Sequence, residues 1–395
     1  MKDIDAKTKK KKLASLMKSM QSLAKSTKDD NIVQILGQKP MDDTERIPTG
    51  YLTLDVATGG GIKRGRVVEL FGAESSGKSL IAQKIIAACQ EHGGLCAYVD
   101  MEQTFDVMFA KKLGVNTDEL AVSQPSSMQQ AFEVVDALVD AGVDVIVLDS
   151  IAALVPEEEL EADVGKQTIG LVARYMSQFL KRINVKLAKS GGILLCINQT
   201  RQKIGVMYGD PTTTAGGNAL KFYSSIRMRV SKSAEGMIKE KGSDEPVGQG
   251  IRVKVVKNKT APPFRTAEFK VFFDGRKVSE TDQIADIALA HGLIPRYNAA
   301  GELCETGRQY KWASEPNFLA KSKAEVPVQL DKFPKVKEEL KEIIMSGDFE
   351  AHKVESEDTD ADMSDEDFES KIREDAENIT ELNEAEEEET SFDDV

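Results

Sequence analysis

The octapeptide Gly72-Ala73-Glu74-Ser75-Ser76-Gly77-Lys78-Ser79 sets two glycines with four residues between them, then a lysine and a hydroxyl. This is the pattern of a phosphate-binding loop. The glycines let successive backbone N–H groups curl around an anion, and a following helix adds the positive end of its dipole. In that role Gly72, Glu74, Ser75, Ser76 and Gly77 form the cradle, Lys78 reaches the terminal phosphates of ATP, and Ser79 holds Mg²⁺.

Three other stretches end in residues able to complete such chemistry. Val145-Ile146-Val147-Leu148-Asp149 is an apolar run closed by a carboxylate. In phosphate-loop proteins an Asp at this place holds the Mg²⁺ shell beside the loop. Residues 95–100 run into Met101-Glu102, so Glu102 lies at the ligand edge of an α/β sheet and is a candidate to polarise the attacking water. Ile193-Leu194-Leu195-Cys196-Ile197-Asn198-Gln199 closes on polar side chains. Gln199 there either senses the γ-phosphate or caps its own loop. Residues 200–218 follow as a long segment without a helical or strand pattern, mixing Arg201, Lys203, Gly216 and Gly217 with Ile204, Val206, Met207 and Tyr208. Cations and glycine amides suit phosphates and apolar side chains suit bases, so the segment reads as a nucleic-acid loop or as a flexible lid.

These residues need a scaffold, and the chain supplies an alternating one. Strand-like runs at 67–71, 95–100, 145–149, 193–198 and 226–230 are separated by helical patterns such as 128–141 and 171–189. That order predicts an α/β fold with a central, mostly parallel sheet. Runs at 251–257 and 267–273 have short connections and are expected as antiparallel hairpins. The expected organisation is a basic N-terminal helix in 1–40, a core in 41–278, a small α+β domain in 279–350 and an acidic tail in 351–395. Residues 1–28 hold nine lysines, with Leu13, Leu16, Met17, Met20 and Leu23 at helical spacing. That apolar stripe must bury against the body or another subunit.

The net charge of −14 belongs to the tail. Residues 354–395 carry 20 acidic and 2 basic side chains, a net of −18, which leaves 50 basic and 46 acidic residues, a net of +4, in the rest. The tail is either solubilising or a decoy that competes with nucleic acid for the basic body. No run of 18 residues is free of charge, so no membrane span is expected. The four cysteines lack metal spacing and the three histidines are scattered, which argues for a reducing, cytoplasmic setting without a histidine-based metal centre.

Gly72–Ser79, Val145–Ser150, Ile197-Asn198-Gln199, Lys203-Ile204-Gly205-Val206-Met207, Gly216-Gly217-Asn218-Ala219-Leu220-Lys221-Phe222-Tyr223 and Val253-Lys254-Val255-Val256-Lys257-Asn258-Lys259 together resemble the bacterial and phage RecA recombinase family. The resemblance runs from about residue 46 to 270 and continues more weakly beyond. It implies a RecA-type P-loop ATPase core and a DNA-dependent ATPase. Such an enzyme polymerises as a helical filament on single-stranded DNA and pairs it with homologous double-stranded DNA in recombinational repair. It further implies that Glu102 activates water, that Gln199 couples the γ-phosphate to the DNA loop, and that Lys257 and Lys259 reach ATP on the neighbouring subunit. Asp106 and Phe109 would meet the adenine. Two segments, 159–169 and 199–218, would contact DNA, with Arg174, Arg201, Lys203, Gly216, Gly217 and Asn218 on phosphates and Ile204 wedged between bases. Phe222 matches a subunit-interface position. Departures from the family pattern are Ala73 for Pro, Ser79 for Thr, Phe109 for Tyr, and divergent stretches at 162–167 and 308–323. The alternatives are a ring-forming, helicase-like motor and a scaffold that binds ATP only to assemble.

Overall fold

The computed structural model describes residues 6–27, 45–162, 170–202, 212–239, 245–276, 278–304 and 307–352. Lys203, Ile204, most of the 159–169 segment and the acidic tail lie outside the described residues.

The N-terminal periodicity forms α1, Ala6–Thr27, on which Leu13 and Leu16 stay 42% and 49% exposed. The short strands β1 (Arg46–Ile47) and β2 (Ile62–Lys63) pair around helix α2 (Leu52–Thr58). The phosphate-loop strand β3 (Val67–Gly72) then runs into α3 (Lys78–Glu91). Next come β4 (Cys96–Asp100), α4 (Val107–Lys112), β5 (Leu120–Ser123), α5 (Met128–Asp140) and β6 (Val145–Asp149). After the single turn α6 (Glu157–Leu160), α7 (Leu171–Ser190) leads to β7 (Ile193–Gln202), β8 (Thr212–Thr214) and α8 (Asn218–Tyr223). Three long strands complete the sheet: β9 (Ile226–Lys239), β10 (Pro246–Asn258) and β11 (Thr266–Phe272).

The main sheet has the order β11-β10-β9-β3-β7-β6-β4-β5, with β8 paired to β7. Strands β3, β4, β5, β6, β7 and β9 pair in parallel, and β9-β10-β11 form antiparallel hairpins. The parallel strands read as continuous apolar runs because helices cover both faces, so every residue of β3, β4 and β6 is buried. On one face α3 contributes Ile81, Ile85 and Ile86 to a core with Leu70, Val147 and Ile251. On the other, α5 and α7 meet the sheet through Met128, Val135, Phe179 and Leu180, with Phe132 stacked on Phe179 at 3.9 Å.

Strand β5 escaped the sequence reading, because its four residues sit at the sheet edge and only Leu120 is buried. The 200–218 segment is more ordered than its composition suggests. Its stems pair as Thr200↔Thr214, Arg201↔Thr213 and Gln202↔Thr212. The β-branched threonines that looked like loop residues are the returning strand of a hairpin.

Contacts divide the chain into two units, Met1–Ile287 with Lys341–Asp348, and Ala288–Leu340 with Phe349–Val395. The second unit contains an antiparallel sheet of β12 (Arg296–Tyr297), β13 (Gln309–Trp312) and β14 (Glu315–Ala320). Tyr310, Phe318 and Leu330 are buried in it, and Trp312 donates from Nε1 to Glu339 at 2.7 Å. Helices α9 (Glu280–Ala290), α10 (Val326–Lys332) and α11 (Pro334–Ser346) close the described chain. Among the described residues no helix is long and apolar enough to cross a membrane.

Candidate functional site

The parallel strands deliver their carboxyl ends to one sheet edge, where ligands bind in α/β folds. Register places Gly72 opposite Gln199 and Asp100 opposite Asp149. The phosphate loop turns here because its backbone is fixed. Ser75 and Gly77 have positive φ values of 55° and 97°. A Cβ on Gly72 would stand 2.3 Å from the Val230 carbonyl oxygen, so no other residue fits beneath the loop. Gly77 begins α3, whose first N–H groups lack intrahelical partners.

The loop's polar atoms are disposed for an anion. Lys78 Nζ donates to the loop's own Ala73 carbonyl at 2.7 Å, and the buried Ser76 hydroxyl has no partner. A phosphate would satisfy both. Burial pushes the Lys78 ammonium below its usual pKa, opposed by the charges of Asp149, Glu102 and Glu74. Glu74 and Ser75 are exposed on the loop's outer side.

Ser79 Oγ donates to Asp149 Oδ2 at 2.7 Å, and the Tyr98 hydroxyl donates to the same oxygen. Burial raises the Asp149 pKa, those two hydrogen bonds lower it, and Glu102 and Asp100 push it up again. Ser79 and Asp149 are hard oxygen donors, as Mg²⁺ requires. No group of three or more His, Cys, Asp or Glu among the described residues could hold a metal ion. A cation at Ser79 and Asp149 would therefore complete its shell with phosphate oxygens and water, the usual habit of Mg²⁺.

Glu102 is exposed at this edge and held by a single oxygen. Its Oε1 accepts from Ser150 Oγ at 2.5 Å and from Gln199 Nε2 at 3.3 Å. Asp106 caps α4, its Oδ1 accepting from the Met108 and Phe109 N–H groups at 2.8 and 3.0 Å. That commits one carboxylate oxygen and leaves the other for a base. Phe109 is partly buried against the core.

The loop-facing cations gather around the β7–β8 hairpin. Arg201 is exposed on its first strand. Gly216 and Gly217 adopt φ of 81° and 77°. A Cβ on Gly217 would lie 2.9 Å from Ala173 Cβ, which seats the hairpin exit against α7 beside the exposed Arg174. Asn218 is exposed at the start of α8, and Phe222 is 69% exposed near its end.

Lys257 and Lys259 are elsewhere. Lys257 lies opposite Arg227 near the start of β9, and the Lys259 N–H donates to the Ser225 carbonyl at 2.9 Å. Ser225 in turn donates to the Val67 carbonyl at 2.8 Å. Lys259 is thus level with Val67, the first residue of β3, and Lys257 with Glu69, while the phosphate loop leaves the strand at its last residue, Gly72. Along the strand the two are three to five residue steps apart, about 10–16 Å. Lys257 Nζ meanwhile donates to the Lys221 and Phe222 carbonyls at 2.8 and 3.0 Å. Desolvation, then Lys259 and Arg227, lower its pKa.

Four supporting residues had no role assigned from the sequence. Tyr98 orients Asp149, Ser150 holds Glu102, and Asn198 and Glu69 tie the hairpin to the sheet. Glu69 left a trace in the sequence as a charge inside an apolar strand, and Asn198 as a polar residue closing one.

The family described as RecA N-terminal domain matches residues 14–277. The chain is 46% identical over 310 residues to Protein RecA of Thermus aquaticus, covering 76% of this chain and 90% of that protein. It is 47% identical over 285 residues to Protein RecA of Gloeobacter violaceus, covering 71% and 76%. A solved RadB recombinase structure aligns at 20% identity and a TM-score of 0.45, over 58% of this chain and 97% of that one.

Proposed function

The chain belongs to the RecA family, and from that premise we propose that it assembles through ATP into a helical filament on single-stranded DNA and exchanges strands with a homologous duplex. The observation that carries this reading is the separation of Lys257 and Lys259 from the phosphate loop of their own chain. Two cations at the far edge of the sheet serve a nucleotide only when a second copy brings them to it, as an arginine finger does in trans.

In this reading Lys78 leaves the Ala73 carbonyl for the γ-phosphate, and the Ser76 hydroxyl gains the partner it lacks. Asp106 and the Phe109 ring meet the adenine. Mg²⁺ held by Ser79 and Asp149 would neutralise charge on the phosphate oxygens. Glu102 accepts the proton of the water that attacks the γ-phosphorus as the bond from that phosphorus to the ADP oxygen breaks. Gln199 shares the Glu102 oxygen that must do this, so movement of the β7–β8 hairpin alters the base directly. DNA contacts fall to Arg174, Arg201, Lys203, Ile204, Gly216, Gly217 and Asn218. Phe222, exposed beside the carbonyls that hold Lys257, suits an apolar contact with the next protomer.

Electron microscopy with single-stranded DNA and a slowly hydrolysed ATP analogue tests assembly. Open helices are expected, and closed hexamers would replace the filament with a ring motor. Formation of joint molecules from homologous but not heterologous duplex tests strand exchange.

A further inference from the structure

Strand β3 carries one charged residue, Glu69, and it is fully buried at 0% exposure. A buried carboxylate persists only when its oxygens are satisfied. Here Oε2 accepts from Arg227 Nε, its direct neighbour on β9, and Oε1 accepts from Asn198 Nδ2 at 3.0 Å. Arg227 is held in turn by Phe71, its guanidinium carbon 4.6 Å from the ring centroid.

Both ends of the Asn198 amide are engaged by this arrangement. Its Nδ2 donates both to Glu69 and to the Ala215 carbonyl at 3.0 Å, and its Oδ1 accepts from the Gln199 N–H at 2.9 Å. Ala215 directly follows β8, at the exit of the hairpin. Gln199 carries the amide that touches Glu102. One side chain therefore anchors both the hairpin stem and the backbone of the residue beside the hydrolytic base.

The orientation of that side chain is set by the Glu69 charge together with the Ala215 carbonyl and the Gln199 N–H. An ionised carboxylate can only accept, so Asn198 must turn its amino group toward Glu69. Its carbonyl oxygen then has one direction left, toward the Gln199 N–H. A neutral amide at position 69 could donate as well as accept. Asn198 could then flip, leaving the Gln199 N–H and the Ala215 carbonyl without their partner.

We propose that Glu69 is a positioning residue that couples DNA at the β7–β8 hairpin to ATP hydrolysis, acting through the amide orientation of Asn198. This rests on the reading of the chain as a DNA-dependent ATPase. Glu69 touches neither nucleotide nor DNA. It fixes the one amide through which hairpin and base share a support.

The test compares full-length wild type, Glu69→Gln and Asn198→Ala, measuring turnover with and without single-stranded DNA, nucleotide affinity and the melting temperature. Disturbing the Glu69–Asn198 hydrogen bond in Glu69→Gln, or removing all three Asn198 hydrogen bonds in Asn198→Ala, should lower the ratio of DNA-stimulated to DNA-free turnover at least about tenfold. Nucleotide Kd should stay within about threefold, since uniform binding is not what the relay supplies. A merely structural role lowers both turnovers together and leaves the ratio intact, and that result overturns the proposal. If Glu69→Gln does not fold, Asn198→Ala decides, because it keeps the Glu69–Arg227 pair. A wild-type enzyme without DNA stimulation overturns the ATPase reading instead.

Discussion

The two edges of the central sheet carry opposite chemistry. At the carboxyl edge, one buried lysine lies among Asp149, Glu102 and Glu74. At the other, Lys257, Lys259 and Arg227 crowd together with Glu69 as the nearby anion. Neither edge is complete. The loop edge has a place for phosphate and a base but few cations for the charge that develops on transfer. The far edge has cations and no phosphate cradle. The sheet register holds the two apart by three to five strand residues, so in the proposed filament the halves meet between copies. In that reading the difference makes ATP part of a subunit contact.

Breaking the far edge should have the largest effect. K257A/K259A is expected to lower DNA-stimulated turnover by roughly 10³-fold, the scale of a cation supplied in trans. K78A should be equally inactive alone. Mixing the two restores turnover if each edge serves the other copy, because the K78A chain still offers its lysines to an intact loop. A mixture as dead as its parts would place both edges on one nucleotide. On the loop edge alone, E102Q should slow hydrolysis by roughly 10²-fold while ATP and DNA still bind. Filaments then outlast those of the wild type in a salt-jump dissociation assay, and equal lifetimes would remove Glu102 as the base.

Two smaller effects sharpen the contrast between the braces behind each edge. The far edge leans on α2, where Asn258 Nδ2 donates to the Thr58 carbonyl at 3.1 Å. Within that helix burial raises the Asp55 pKa from 3.8 to about 6, against hydrogen bonds from Thr49. The native state therefore holds the Asp55 proton when the unfolded chain has released it. Stability falls as pH rises between about 4 and 6 and levels off above, a span of at most about 3 kcal/mol. D55N keeps an acceptor for the Thr49 N–H and removes the titration. Urea midpoints should show its advantage over wild type widening across that window, and a constant gap would mean that Asp55 ionises normally. On the loop edge, G77A forces a side chain to φ of 97° with Ile251 Cδ1 at 2.5 Å. It should cost about 2 kcal/mol in urea unfolding. G93A, at φ 76° with nothing within 4 Å, should cost less and isolates the contact from the backbone strain.

The loop edge was legible in the sequence because its chemistry is local. Gly72, Gly77, Lys78 and Ser79 are fixed by a turn and the first residues of a helix, and their spacing is the geometry. Asp149, Glu102 and Gln199 were legible for a similar reason, since an apolar run ending in a polar residue marks the carboxyl end of a parallel strand. The hairpin was misread because the threonines of β8 carry no apolar alternation, and pairing with β7 alone makes them a strand.

By itself the sequence determined the α/β alternation, the phosphate cradle and the polar residues at the strand ends, because backbone conformation and hydrophobic period are short-range properties. Only the tertiary structure decided that Lys257 and Lys259 sit three to five strand residues from their own loop. Only it, too, decided that Glu69, Asn198, Ala215 and Arg227 share one buried network. Those facts depend on strand order and register between segments up to 158 residues apart. Register is set by packing whole strands against both helical layers, and no local spacing records it.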